Sequence, residues 1–191
     1  EEELNDKITK RVQRAARRQA RQEELKRLRR AQVIQRQLQE VEVKQRELET
    51  RGVQLEKALR GESGEDQDEA KLMQEWFQLV QEKNALVRYE SELMVYGKEL
   101  ELEDRQGRLQ QELRERMAID DSKKTPEELA EEKRILDEML EVVEQRDALV
   151  AMLEEERLRE KEEDKDLESV MLSKGLQYRE WRNSAIQTAK F

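Results

Sequence analysis

The sequence predicts an all-α protein: an elongated, antiparallel, coiled-coil-like sheaf of three helices with the outer two folded back on the central one. Three observations carry this. Asp, Glu, Lys and Arg make up 45% of the 191 residues, aromatics only 4%, and Pro occurs once, the composition of long helices or coiled coil. Leucine, valine, isoleucine and methionine recur at three- and four-residue intervals, too regularly for a disordered polyelectrolyte. Two polar breaks, around Gly61–Gly64 and Asp120–Thr125, then divide the chain into three.

The first helix is expected over about residues 2–60. Ile34, Val41, Leu48 and Leu55 recur every seven residues, with Leu38 and Leu59 four places after the first and last, giving one apolar seam. Gly61 and Gly64, flanking Glu62 and Ser63, stop it. At 1.5 Å per residue such a helix is roughly 85 Å long and cannot be half of a compact globule. The second helix is expected over about 66–120, starting near Asp66 with Glu69 as a capping-box partner. Its seam, Leu72, Leu79, Leu86, Leu93 and Leu100, shifts phase to Val95, Leu102 and Leu109, so its two halves face different neighbours. Gly97 and Gly107 each cost about 1 kcal/mol in a helix interior and are expected where a neighbouring helix comes close.

Thr125-Pro126-Glu127-Glu128 is a strong helix start, with Thr at N-cap, Pro at N1 and Glu at N3. The third helix, about 126–173, runs through Leu129, Leu136, Val143 and Val150 and ends at Gly175. Connectors this short make neighbours antiparallel. Residues 1–173 are therefore expected as one three-helix domain, monomeric if its seams are satisfied internally. Residues 174–191, with Tyr178, Trp181 and Phe191, differ in composition and are expected as a mobile tail.

An internal repeat underlies this plan. Residues 70–87, AKLMQEWFQLVQEKNALV, recur 63 positions later as KRILDEMLEVVEQRDALV, with Glu75/Glu138, Val80/Val143, Ala85/Ala148, Leu86/Leu149 and Val87/Val150 identical. The preceding segment recurs with an offset of 54: Val41, Lys44, Leu48, Arg51, Leu55, Leu59 and Arg60 return as Val95, Lys98, Leu102, Arg105, Leu109, Leu113 and Arg114. Each copy is a helix end, a turn and the beginning of the next helix, and the surplus of nine residues falls in the second connector. A function tied to the unit is then present twice.

Composition excludes several classes. With neither Cys nor His, thiolate or imidazole catalysis, disulfides and ordinary zinc sites are unavailable. No GxxxxGK[ST] loop is present and no carboxylate is set apart in a pocket pattern, so no enzyme, cofactor or metal function is expected. No apolar run approaches the ~20 residues that span a bilayer, and no secretory signal precedes the basic N-terminal region. A soluble cytoplasmic protein or fragment is expected.

Two features invite partners. The repeated helix start carries two adjacent apolar stripes: Leu72, Trp76, Leu79, Lys83, Leu86 beside Met73, Phe77, Val80, Asn84, Val87, and their copies Ile135, Met139, Val142, Arg146, Leu149 beside Leu136, Leu140, Val143, Asp147, Val150. One stripe packs on the adjacent helix; the other meets a third helix or a partner. The repeated cation, Lys83/Arg146, favours the first stripe as the partner face, since a cation suits the rim of an apolar patch better than a dry core. Residues 10–30 hold ten Lys or Arg against Glu23 and Glu24. They are expected to pair with Glu99, Glu101, Glu103, Asp104 and the acids of the third helix, with an acidic partner, actin or lipid as alternatives. Interleaved aromatics are missing and the chain carries −9, so nucleic acid is not expected.

The stretches ELNDKITKRVQRAARRQ, LMQEWFQLVQEKNALVRYESELM, LELEDRQGRLQQELRERM and ILDEMLEVVEQRDALV resemble the bivalent Mical/EHBP Rab-binding (bMERB) domain, and most nearly the C-terminal region of the Mical proteins and their Mical C-terminal-like relatives. The resemblance covers about residues 1–173. It implies a three-helix fold binding GTP-loaded Rab GTPases of the Rab8 kind at two duplicated sites, up to two per chain, with recruitment to endosomal or other vesicle membranes. It also implies an autoinhibitory role toward intramolecular partner domains of a parent flavin monooxygenase. Carried onto this sequence, site one is Leu48, Arg51, Leu55, Leu72, Trp76, Leu79, Lys83 and Leu86; site two is Leu102, Arg105, Leu109, Ile135, Met139, Val142, Arg146 and Leu149. The rival reading is a passive coiled-coil spacer or actin-associated rod using residues 10–30.

Overall fold

The computed structural model describes residues 2–62 and 68–174. Among them the protein is all-α: α1 (Glu2–Leu59), α2 (Glu69–Met117), a 3₁₀ turn (Asp121–Lys123) and α3 (Pro126–Lys174). Gly64, the expected start at Asp66, the stop at Gly175 and the C-terminal tail lie outside the described residues.

The turn chemistry follows the sequence closely. At the end of α1 the Gly61 N–H donates to the Ala58 carbonyl at 3.1 Å and the Glu62 N–H to the Lys57 carbonyl at 3.0 Å. This paired pattern needs a left-handed residue, and Gly61 supplies it with φ +76°. Asp68 caps α2: its carbonyl receives the Leu72 N–H and its carboxylate the Ala70 N–H, each at 3.1 Å. At α3 the capping box is complete. The Glu128 N–H donates to Thr125 Oγ1 at 3.2 Å and the Thr125 N–H donates back to the Glu128 carboxylate at 2.8 Å.

The described residues pack as two compact units, those of Arg36–Met94 with the part of α3 from Leu153 onward, and α1 up to Gln35 with Val95–Met152. In the first, the Trp76 unit, the core is Leu48 and Leu55 of α1 against Leu72, Trp76 and Leu79 of α2, bordered by Ala58, Leu59, Val80 and Leu86. Partner numbers fall on α2 as they rise on α1 (Gln45 to Glu90, Arg51 to Glu82), which is antiparallel pairing. The C-terminal part of α3 joins this unit through charge: Arg88 reaches Asp164 at 2.9 Å and Arg157 reaches Glu92 at 3.3 Å.

In the second, the Ile135 unit, Leu102 and Leu109 of α2 pack on Ile135 and Val142 of α3, bordered by Leu113, Met139 and Leu149. Every core and border residue here is the 54- or 63-residue image of one in the Trp76 unit: Leu48 becomes Leu102, Leu55 Leu109, Leu59 Leu113, Leu72 Ile135, Trp76 Met139, Leu79 Val142 and Leu86 Leu149. The early part of α1 joins this unit through Arg27 to Asp104 at 3.3 Å and Arg30 to Glu103 at 2.7 Å.

Two expectations about the helices change. The seam of α3 is Ile135, Val142 and Leu149, one residue ahead of the heptad Leu129, Leu136, Val143, Val150, all four of which are exposed. Two adjacent stripes share the same seven-residue period, so periodicity alone does not choose between them. The glycines of α2 also differ from expectation. A Cβ on Gly97 would meet nothing, and one on Gly107 would meet the Arg27 guanidinium at 3.3 Å, a side chain rather than a helix backbone.

Thr125→Ala, which removes the α3 cap, is expected to lower unfolding stability by about 1 kcal/mol. Gly61→Ala, forcing a Cβ into the left-handed region, is expected to cost about 1–2 kcal/mol. Urea unfolding followed by circular dichroism measures both.

Candidate docking surface

Each hairpin turns two stripes of its second helix in different directions. On α2, Leu72, Trp76 and Leu79 are buried with no more than 7% exposure. On α3, Ile135 and Val142 are 0% exposed. These residues were expected to receive a partner, as were Leu48, Leu55, Leu102 and Leu109; the structure instead encloses all nine between the protein's own helices. Leu86, Met139 and Leu149 lie half-buried along the borders of the same clusters.

The reason is visible at the cation that suggested the opposite assignment. Arg146 is half-buried, and its guanidinium donates to Gln106 at 2.7 Å and to Glu99 at 3.3 Å, both on α2. The apolar part of the side chain extends the seam while its head is satisfied at the seam's edge. A cation inside the stripe is therefore compatible with the interhelical face. Lys83, its counterpart in the Trp76 unit, is also half-buried. Arg51 pairs with Glu82 and Arg105 with Glu138, each at 3.4 Å, so these equivalent arginines rim the two cores.

The stripe left facing solvent is the adjacent one. On α3, Leu136, Leu140, Val143 and Val150 are all exposed, Leu140 by 64%. In the Trp76 unit the equivalent stripe is less open. Met73 is buried, Phe77 and Val80 are half-buried, and Val87 is exposed. Phe77 and Asn84 line a shallow groove with Arg88 of α2 and Asp164 and Leu167 of α3. The two copies thus share a core and differ in how much of their outer stripe is uncovered.

The model of the bivalent Mical/EHBP Rab binding domain matches residues 34–167. The chain belongs to this family. The match contains both copies of the hairpin, and the family's description as bivalent agrees with a unit present twice. Among curated relatives, human [F-actin]-monooxygenase MICAL3 is 76% identical over 176 residues, 92% of this chain and 9% of that protein. Protein-methionine sulfoxide oxidase mical3a of Danio rerio is 73% identical over 92% of this chain and 10% of its own length. [F-actin]-monooxygenase MICAL2 of Rattus norvegicus is 53% identical over 91% of this chain and 9% of its own length. The chain spans about a tenth of each of these relatives. Among the described residues of this bMERB chain, no helix is long and apolar enough to cross a membrane.

Sequence reasoning did not single out the polar cluster that closes the second bMERB hairpin. Lys124, directly before the cap of α3, has a side chain only 3% exposed and bridges Asp121 at 2.7 Å and Glu132. The hydrogen bond that Lys124 donates to Asp121, then the one it donates to Glu132, raises its pKa above the usual 10.5 against the opposing effect of burial. Further along α3, Arg134 donates to Glu131 at 3.0 Å and lowers the Glu131 carboxyl below the usual 4.5, with Arg116 adding a smaller effect. The signal available in the sequence was the Lys-Lys-Thr-Pro string, in which one of two lysines precedes a helix start rich in acid.

Two signs follow. The Lys124 contribution is complete below 10.5 and is lost as pH rises through the higher folded value. The stability gap between the protein and Lys124→Met should therefore close at alkaline pH. The Glu131 contribution is present above 4.5 and lost as pH falls through the lower folded value, so the gap to Glu131→Gln should close in acid. Denaturant titrations across pH read both. At the cores, Leu79→Ala is expected to cost about 2–5 kcal/mol, whereas Leu140→Ser on the outer stripe should change stability by no more than about 0.5 kcal/mol.

Proposed function

We propose that this chain is a Rab effector domain that docks two GTP-loaded Rab GTPases of the Rab8 kind, one on each hairpin copy. The observation that supports this most directly is the solvent-facing stripe Leu136, Leu140, Val143 and Val150 on a helix whose opposite stripe already fills the core. A domain has no folding reason to display four large aliphatic side chains on one helix face, and such a row suits an apolar partner surface. The equivalent stripe, Phe77, Val80, Asn84 and Val87, forms the first site. Arg51 and Arg105, held at the same place on each rim, orient the GTPase through their exposed polar heads. GTP dependence follows if the contacted GTPase segments are ordered only in the GTP state.

The unequal exposure of the two stripes favours unequal affinities, with the α3 site the more accessible. Docking to vesicle-bound Rab proteins would place a cytoplasmic chain at endosomal or other vesicle membranes. In relatives named as F-actin monooxygenases the matching region is about a tenth of the whole, and the same outer stripes are suited to hold a parent enzyme's catalytic region in an autoinhibited state until Rab binding displaces it.

Titration calorimetry with a Rab8-type GTPase loaded with a GTP analogue is expected to give two GTPases per chain, and no binding with GDP. Leu140→Arg should reduce the stoichiometry to one and Val87→Arg should weaken the remaining event at least tenfold. A stoichiometry of one for the unmodified chain, or of two for Leu140→Arg, sinks the assignment of the second site. Self-association of the free chain in light scattering would favour the rod reading instead.

A further inference from the structure

The family match begins at residue 34, and the basic stretch of α1 lies ahead of it. Its ten cations were expected to pair with the acids of α2 and α3. Only Arg27 and Arg30 do so; the other eight make no ion pair among the described residues. At 100° per residue, Ala16, Ala20 and Arg27, the partly buried positions of residues 10–30, share the face turned to α2. The opposite face carries Arg11, Arg14, Arg18, Arg21, Leu25 and Leu28 at alternating three- and four-residue spacing, every one exposed. Lys10, Arg17 and Arg29 flank this row, and Glu23 falls on the side of α2.

We propose that this outward row of α1 is a docking surface for an anionic membrane, its arginines on lipid phosphates and Leu25 and Leu28 entering the headgroup boundary. Four arginines and two leucines in line cover about 25 Å of straight helix, a flat array without a pocket, which suits a planar sheet of charge better than a discrete ligand. Arginine pairs with phosphate through two parallel hydrogen bonds. Clusters of about four to eight basic residues on an amphipathic helix are the pattern that recognises anionic leaflets. The chain's net charge of −9 does not oppose this, because at physiological salt charges more than about 8 Å away are screened. The local excess in residues 10–30, ten cations against two carboxylates, decides the contact. Leucines at the end of a basic row are of no use on an acidic protein surface unless it offers matching pockets, whereas a bilayer accepts them anywhere.

The test is flotation of the 191-residue chain with vesicles of phosphatidylcholine alone or with roughly one part in three of phosphatidylserine, the kind of anionic lipid that gives the cytoplasmic leaflet its negative surface potential. The chain is expected to float with the anionic vesicles only, and to be released as salt rises. Replacing Arg11, Arg14, Arg18 and Arg21 by Gln should weaken partition on the order of a thousandfold, at about fivefold per cation. Replacing Lys44, Lys133, Lys161 and Lys165 by Gln, the same charge change elsewhere, should leave it within a few-fold. Leu25→Ser with Leu28→Ser should weaken it at fixed salt without altering the salt slope. Circular dichroism of each variant reports whether the helix persists, and the salt dependence of the unmodified chain tests the charge argument without any substitution. Equal flotation with neutral vesicles, equal losses in the two quadruple variants, or cosedimentation with actin filaments in place of vesicle binding would overturn the proposal.

Discussion

The packing of Leu48 and Leu55 against Leu72, Trp76 and Leu79, and of their images Leu102 and Leu109 against Ile135 and Val142, is the contact on which everything else rests. In a chain that is 45% charged there is little apolar surface to remove from water, and it is concentrated at these two antiparallel seams. Each large aliphatic side chain sealed there contributes about 1.5–3 kcal/mol, against surface ion pairs worth about 0–1 kcal/mol apiece. The seams hold the helices; the charges select their register. With the core committed to one stripe, the neighbouring stripe is left outside, and so the interaction surface is a by-product of how the hairpin closes.

The charge pattern shows what that register is made of. In the Trp76 unit, Arg88 reaches toward Glu160, Glu163 and Asp164 on α3. In the Ile135 unit, Arg27 lies across Gly107 and pairs with Asp104. In both, a helix that adds few buried leucines is attached by guanidinium groups to a hairpin that already has its core. Arginine is suited to this because its stem covers apolar surface while its fork finds carboxylates.

Much of the fold was legible in the sequence, and for physical reasons. Gly61, Thr125, Pro126 and Glu128 announced helix ends because each supplies a specific backbone need, a left-handed turn or a satisfied N–H. The duplication was legible because Lys/Arg and Asn/Asp matches exceed what a shared heptad enforces. The direction of the stripes was not legible. Leu136 and Ile135 have the same period and nearly the same hydrophobicity, and the choice is made by which of them meets Leu102 and Leu109, a fact of three-dimensional register. Arg146 misled because a residue name does not say that Glu99 and Gln106 lie within reach of its head. The basic row of α1 misled in the same way: acids were numerous enough to neutralise it, but most of its cations point away from them.

Within the duplicated cores one pair of equivalent positions differs in both side chain and burial: Trp76 is buried and Met139 is half-buried. The chain has two tryptophans, and Trp76 is the one among the described residues. Indole emission from that site is an optical reporter confined to one hairpin, blind to the other. Once Trp181 is replaced by Phe, comparing the emission shift with the far-ultraviolet signal during melting would reveal whether the two copies come apart together or in sequence, without any label being attached.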